Sequence, residues 1–178
     1  MIPWRIKEHL SSDTYQHLVR IAETLNLSER TVLITEGDQN RTLFILESGS
    51  LNVSQKTSHG VQQVGIIEPG DVTGEIAFID QRHRSATVTV GRAARLLKLD
   101  HAKVVRALVD SPAALADLVQ ALAARVTLRL RSHMTEQNIQ SELSKVSAPQ
   151  PTWTEPASRT WEDLSGKRFP ILPFAILT

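Results

Sequence analysis

The hydrophobic pattern changes period twice along the chain. In "SSDTYQHLVRIAETLNL" the apolar positions Leu18, Ile21, Ala22 and Leu25 recur at helical spacing, and Ser12 or Asp13 stands where a cap belongs. This predicts a helical N-terminal segment over residues 1–28. The texture then becomes short and β-branched. "TVLIT", "TLFILES", "SLNVSQ", "VQQVGII", "SATVTVG" and "ARLLKLD" read as strands bounded by turn formers at Gly37-Asp38, Ser48-Gly49, His59-Gly60 and Pro69-Gly70-Asp71. Within "SATVTV", Ala86, Val88 and Val90 share one strand face and Ser85, Thr87 and Thr89 the other, giving one buried and one polar side. At Asp100 the helical period returns. "DHAKVVRALVD" carries a capping aspartate. Ser111-Pro112 then opens a helix that runs through "AALADLVQALAARVTLRLRSHM" without a breaker. Its positions Leu115, Val119, Leu122 and Val126 make an apolar seam of about two heptads, which fits packing back on a barrel or a short dimer seam.

These elements predict a mainly β fold with flanking helices. Residues 29–134 read as a β-roll, a jelly-roll-like double-stranded β-helix, preceded by the N-terminal helix and followed by closing helices. Over residues 135–178 the composition shifts. "SAPQPTWTEPASRTWEDLSGKRFPILPFAILT" holds five prolines, which oppose a long helix. Trp153, Trp161, Phe169 and Phe174 oppose simple disorder, so this tail reads as a linker or an arm that docks on a surface.

Composition narrows the function classes. The 178 residues carry twenty basic and nineteen acidic side chains, a net charge of +1, so nothing points to a nucleic-acid footprint or an anionic membrane patch. There is no cysteine, which excludes disulfides and thiolate metal sites. "MIPWRIKEHL" lacks the apolar core of a signal peptide, and no stretch reaches the ~20 apolar residues of a membrane span. A cytoplasmic location is expected. The six histidines, His9, His17, His59, His83, His101 and His133, form no pair at metal-ligand spacing. No nucleophile elbow and no P-loop appear. The expectation is therefore a protein that is not an enzyme and has no metal or cofactor.

The candidate chemistry lies in "GEIAFIDQRHRSATVTV", Gly74 to Val90, which holds Glu75 and Arg84. An arginine offers a fork of donors to phosphate oxygens and stays charged at any physiological pH. A carboxylate accepts a hydroxyl hydrogen. Together with the upstream "ITEGDQNRTLFILESGSLNVS" and "PGDVTGEIAFIDQRHRSATVTV", this resembles the cyclic nucleotide-binding domain of catabolite-activator-type regulators and of the regulatory subunits of cyclic-nucleotide-dependent kinases. The resemblance covers about residues 10 to 132 and implies a ligand with one anionic phosphate, a ribose hydroxyl and a flat base. By matching position, Arg84 grips the phosphate and Glu75 the ribose. Gly74 lets the backbone approach, the short helix "EIAFID" with Ile76 and Ala77 turns its amides to the phosphate, and the amides near Ser85 and Ala86 complete the pocket. Ser85, small and directly after the arginine, points to cAMP, with cGMP as the alternative. Thr73, on the apolar side of the pocket, and Arg125, Thr127 and Arg129, on the helix that closes over the base in relatives, are candidate base contacts. Arg82 and His83 are expected to face water.

The bacterial relatives answer through a helix-turn-helix. "SRTWEDLSGKRF" supplies neither two helices with a tight turn nor a basic recognition face, so nucleic acid is not the expected partner. The sequence reads as a stand-alone cyclic nucleotide sensor that regulates a protein partner, or a second copy of itself, by moving its closing helix. The alternatives are an interaction module with a degenerate pocket and a one-component transcription regulator.

Overall fold

The computed structural model describes residues 4–146, 160–162 and 168–170. The chain forms two compact units, Met1–Met134 and Thr135–Thr178.

The first unit opens with a 3-10 turn, Ile6–Glu8, and helix α1, Ser12–Ile21. The α1 cap is Ser11, one residue earlier than expected. Its hydroxyl accepts from the Thr14 amide at 3.3 Å. The helix also stops sooner than its pattern predicts. Ala22 turns extended (φ −70°, ψ 146°), and Glu23–Leu27 forms strand β1. Leu25 satisfies two periods at once, the helical one with Ile21 and the two-residue one with Leu27. Pairing decides between them: β1 lies antiparallel on the last strand of the sheet, with Leu25 opposite Leu96 and Leu27 opposite Ala94. The sheet thus begins ahead of residue 29, within the segment read as helical.

Strands β2 (Val32–Ile34), β3 (Leu43–Thr57), β4 (Gly60–Ile67), β5 (Val72–Thr73) and β6 (Thr87–Leu99) complete it, with the short helix α2 (Glu75–Asp80) between the last two. The order is β1-β6-β3-β4, with β2 on β6 and β5 on β3, all antiparallel. "TLFILES" and "SLNVSQ" were expected to be two strands broken at Ser48-Gly49; they form one. Gly49 (φ 90°) bends the strand without ending it, and a Cβ there would run into the Ala93 carbonyl and lie 2.7 Å from the Ala94 Cα. "SATVTVG" and "ARLLKLD" likewise merge into β6, which shifts register against β3 around the same bend.

Both faces of this β-roll are covered. Leu43 and Ile45 of β3 and Leu97 and Leu99 of β6 face the helices, where they pack with Ile6, Leu18, Val104, Leu108, Leu118 and Leu122. Their neighbours Phe44, Leu46, Val88, Val90, Ala94 and Leu96 point into the roll with Ile34, Leu51 and Ile67. The unbroken apolar run "LFIL" is buried because alternate side chains serve two cores. As expected, Val88 and Val90 are on the inward face of "SATVTV".

Helix α3, His101–Leu108, is capped by Asp100, which accepts from the Lys103 amide at 3.1 Å. Helix α4, Pro112–Val146, starts at the predicted proline and runs past the expected "RSHM" end. The predicted seam divides between two sides of α4. Leu122 is buried with Leu118 and Ala121 against the roll, and Leu115 packs beside them. Val119 is 44% exposed, because residues four and three apart drift round a 3.6-residue helix and the core needs only one stripe of it.

In the second unit, β7 (Thr160–Glu162) and β8 (Arg168–Pro170) pair antiparallel, with Trp161 opposite Phe169. Trp153 and Phe174 lie outside the described residues. No helix among the described residues is long and apolar enough to cross a membrane.

Candidate functional site

The site is built around α2. β5 delivers the chain to Gly74, which takes a left-handed conformation (φ 83°) that starts α2 at Glu75. The Phe78 amide closes the first turn onto the Gly74 carbonyl at 3.1 Å, so the earlier amides of α2 have no acceptor within the helix. The helix ends at Gln81, also left-handed (φ 61°), and the chain returns through an exposed loop carrying Arg82 and His83 into Arg84 and β6. His83 meets the Gly37 carbonyl through Nδ1 at 2.8 Å and otherwise faces water, as does Arg82.

Arg84 and Glu75 both turn inward. They are 3% and 2% exposed. The Arg84 guanidinium lies against the backbone. Nη1 donates to the Gly74 carbonyl at 2.9 Å, and Nη2 donates to the Thr42 carbonyl at 2.6 Å. Nε donates to Asn40 Oδ1 at 3.1 Å, and Nη2 donates to the same oxygen. All these acceptors are neutral, and among the described residues no carboxylate touches the guanidinium. Burial pulls its pKa down, while Glu75 and Asp38 nearby act the other way. A Cβ on Gly74 would stand 2.5 Å from Arg84 Nη1 and 2.6 Å from the Thr42 carbonyl, so only glycine fits beneath this arginine.

The closing helix supplies the other cations. Arg125 grips Asp71 two-pronged, Nε to Oδ1 at 2.7 Å and Nη2 to Oδ2 at 2.5 Å. Arg129 reaches Glu75 through Nη1 at 2.5 Å, Asp71 at 3.3 Å and the Val72 carbonyl at 2.6 Å. Asp71 and Glu75 flank β5, so two arginines one helical turn apart staple α4 to the strand that leads into α2. Arg125 also covers the ring of Trp4, 5.5 Å from its centroid, and that ring stacks on His9.

The structure therefore brings Gly74, Glu75, Ala77, Arg84, Arg125 and Arg129 together. Thr73 is buried beneath them in β5, opposite Phe44. Ala86 is half-buried, and Ile76 and Ser85 are exposed at the rim, where the Ser85 carbonyl accepts from Gln55 at 2.9 Å. Thr127 does not join. It is exposed and bonds back to the Ala123 carbonyl at 2.9 Å, about 200° round the helix from each arginine. Arg125 and Arg129, expected against a base, spend their donors on the Asp71 and Glu75 carboxylates and, for Arg129, also on the Val72 carbonyl. Asp71 and Asn40 were given no role by the sequence. Asp71 lay in a "PGD" read only as a turn, and Asn40 sits 44 positions before the arginine it bonds.

Residues 24–111 match the family model described as the cyclic nucleotide-binding domain. Over that segment, about half of the chain, the sequence is similar to that family. The segment contains Gly74, Glu75, Arg84 and all of the β-roll's strands but Glu23, the first residue of β1. A similar protein, the cAMP-dependent protein kinase regulatory subunit of Dictyostelium discoideum, is 29% identical over 105 residues, 57% of this chain and 32% of the relative. The chain spans about a third or less of the length of the curated relatives it matches. Among solved structures, the regulatory domain of Toxoplasma gondii PKA with cAMP is 30% identical (TM-score 0.52, 55% of this chain and 38% of that one). The catabolite activator protein of Thermus thermophilus has the same fold at 20% identity (TM-score 0.65, 76% of this chain and 62% of that one). The similarity covers the residues that carry Asp71, Glu75 and Arg84, while Arg125 and Arg129 lie beyond the matched segment.

Proposed function

We propose that this domain binds a cyclic nucleotide, cAMP before cGMP, and reports it to a partner protein through α4. The observation that carries the reading is Arg84: a guanidinium 3% exposed whose hydrogen-bond acceptors are all neutral. A buried charge without a bonded counterion is costly, and an anion entering the site relieves that cost. The α2 amides that lack helical acceptors face the same need. Glu75 supports the sugar contact. A carboxylate accepts several hydrogen bonds, so Arg129's hold leaves capacity for a hydroxyl. The match to a structure solved with cAMP supports the choice of nucleotide.

Regulation follows from the staple. A ligand that engages Glu75 competes with, or reinforces, the grip of Arg129, and so biases where α4 sits. It does so only by the difference in its affinity for the two positions. The outward side of α4 carries Val119, Leu130 and Met134 at 44%, 58% and 56% exposure, with Val126 half-buried between them. Such a stripe along one helix is self-complementary across a two-fold axis, and we assign it to a second copy of this chain.

Thermal melts with cAMP and cGMP test the reading. A site filled to about 100 times its Kd raises stability by about 2.7 kcal/mol. Arg84→Ala should cost binding ~2–5 kcal/mol, a loss of roughly thirtyfold or more in affinity by calorimetry. Equal binding by wild type and Arg84→Ala refutes the assignment. One observation favours a rival, an interaction module without a ligand: most donors of Arg84 are already bonded within the protein. An unshifted melt with either nucleotide supports that rival.

A further inference from the structure

A guanidinium has five N–H groups. In Arg84, the bonds to the Gly74 and Thr42 carbonyls are to fixed backbone. The remaining edge, Nε with Nη2, is occupied by a side chain: Asn40 Oδ1 accepts from both. This is the edge on which arginine takes two oxygens of a phosphate side by side. Asn40 thus sets one neutral oxygen where a phosphate would set two oxygens that share a negative charge.

The surroundings make this side chain the movable part. Asn40 is exposed, in the stretch between β2 and β3, and makes no other side-chain hydrogen bond among the described residues. The backbone beside it is tied down. The Gly37 amide donates to the Arg84 carbonyl at 2.9 Å, and the Arg84 amide donates to the Asp38 carbonyl at 2.8 Å. Arg41 fastens the same loop to Gln81 at the end of α2, at 2.9 Å. Rotation about the side-chain bonds of Asn40 frees the fork of Arg84 without moving the loop.

We propose that Asn40 is a placeholder for the phosphate: its amide oxygen holds the Nε–Nη2 fork of Arg84 in the empty site and swings into solvent when the anion docks. The inference rests on the proposed binding of a cyclic nucleotide. It sets a threshold for binding. A phosphate monoanion outcompetes a neutral amide for a guanidinium, and an uncharged nucleoside does not, so the exchange selects for the charge.

Calorimetry of the full chain with cAMP and cGMP, on wild type, Asn40→Ala and Asn40→Asp, tests it. Asn40→Ala removes the competitor and should tighten binding about tenfold, equal to about 1.4 kcal/mol. Asn40→Asp puts a charged competitor on the fork and should weaken binding at least about tenfold, by the same conversion. Because Asn40 is exposed, the free variants should melt cooperatively near the wild type. Weaker binding by Asn40→Ala, or affinities unchanged in both variants, overturns the placeholder and leaves the site's function standing. No binding by any of the three proteins overturns the function itself.

Discussion

Gly74 carries the backbone at φ 83°, with the Arg84 guanidinium on one side and the Thr42 carbonyl on the other. A left-handed conformation costs a residue with a Cβ about 1–2 kcal/mol, before any clash. In Gly74→Ala the new methyl group meets a backbone oxygen that cannot step aside, so the arginine must. We expect a melting point several degrees lower and a loss of cyclic nucleotide affinity at least as large as that of Arg84→Ala. A variant that melts lower yet binds normally would show that Arg84 need not lie where it does. At this scale the sequence is legible where residue type and chemistry coincide. Arg84 and Glu75 stood out because they fall in register within the motif that carries the resemblance, and the structure buries both side chains. Asn40 was not, because an asparagine in a loop is ordinary until its oxygen is placed on a particular nitrogen. Thr127 misled for the opposite reason: it has a suitable hydroxyl on the wrong side of its helix.

Among the elements, α4 is anchored at its start as well as at its arginines. The Ser11 amide, at the cap of α1, donates to Asp117 Oδ2 at 2.8 Å. That bond, with help from the Ser11 and Thr14 side chains, holds the Asp117 carboxyl below its ordinary value of 3.8. A carboxyl depressed in the folded state stabilises it above its unfolded pKa and loses that contribution as the pH falls through the folded one. Asp117→Asn should therefore melt lower than wild type at neutral pH, and the gap should close as the pH drops below about 3.8. A gap that is constant with pH would mean the bond matters for packing and not for charge. Element boundaries were the hardest part to read. The ends of β3 and β6 were visible, but Gly49 and the register shift beside it look the same in sequence whether the strand breaks or bends. β1 was hidden because Leu25 fits a helix and a strand equally well until Leu96 lies opposite it.

For the molecule as a whole, the two-sided burial of the first part of β3 and the last part of β6 fixes the roll, and among the described residues α4 carries an exposed apolar stripe of Val119, Leu130 and Met134. Sedimentation equilibrium should find a dimer, and Val119→Glu with Leu130→Glu should dissociate it while leaving the melting transition cooperative. Both residues are exposed, at 44% and 58%, so the charges meet water in the monomer. A monomer in the wild type would reassign that stripe to another protein. The fold class was legible because "LFIL" marks a strand covered on both faces and "TVTV" one with a buried and a polar side, patterns that recur over many residues. The two faces of α4 were not separable, since one period describes both.

Trp4 lies between the N-terminal turn and the closing helix, with His9 stacked 4.8 Å away, the Arg125 cation across its ring and its indole N–H buried without a hydrogen-bond partner among the described residues. Indole emission responds to a nearby charge and to the entry of water. The staple that holds α4 to Asp71 therefore passes within reach of a native fluorophore, and breaking it, as in Asp71→Asn, is expected to change the Trp4 emission.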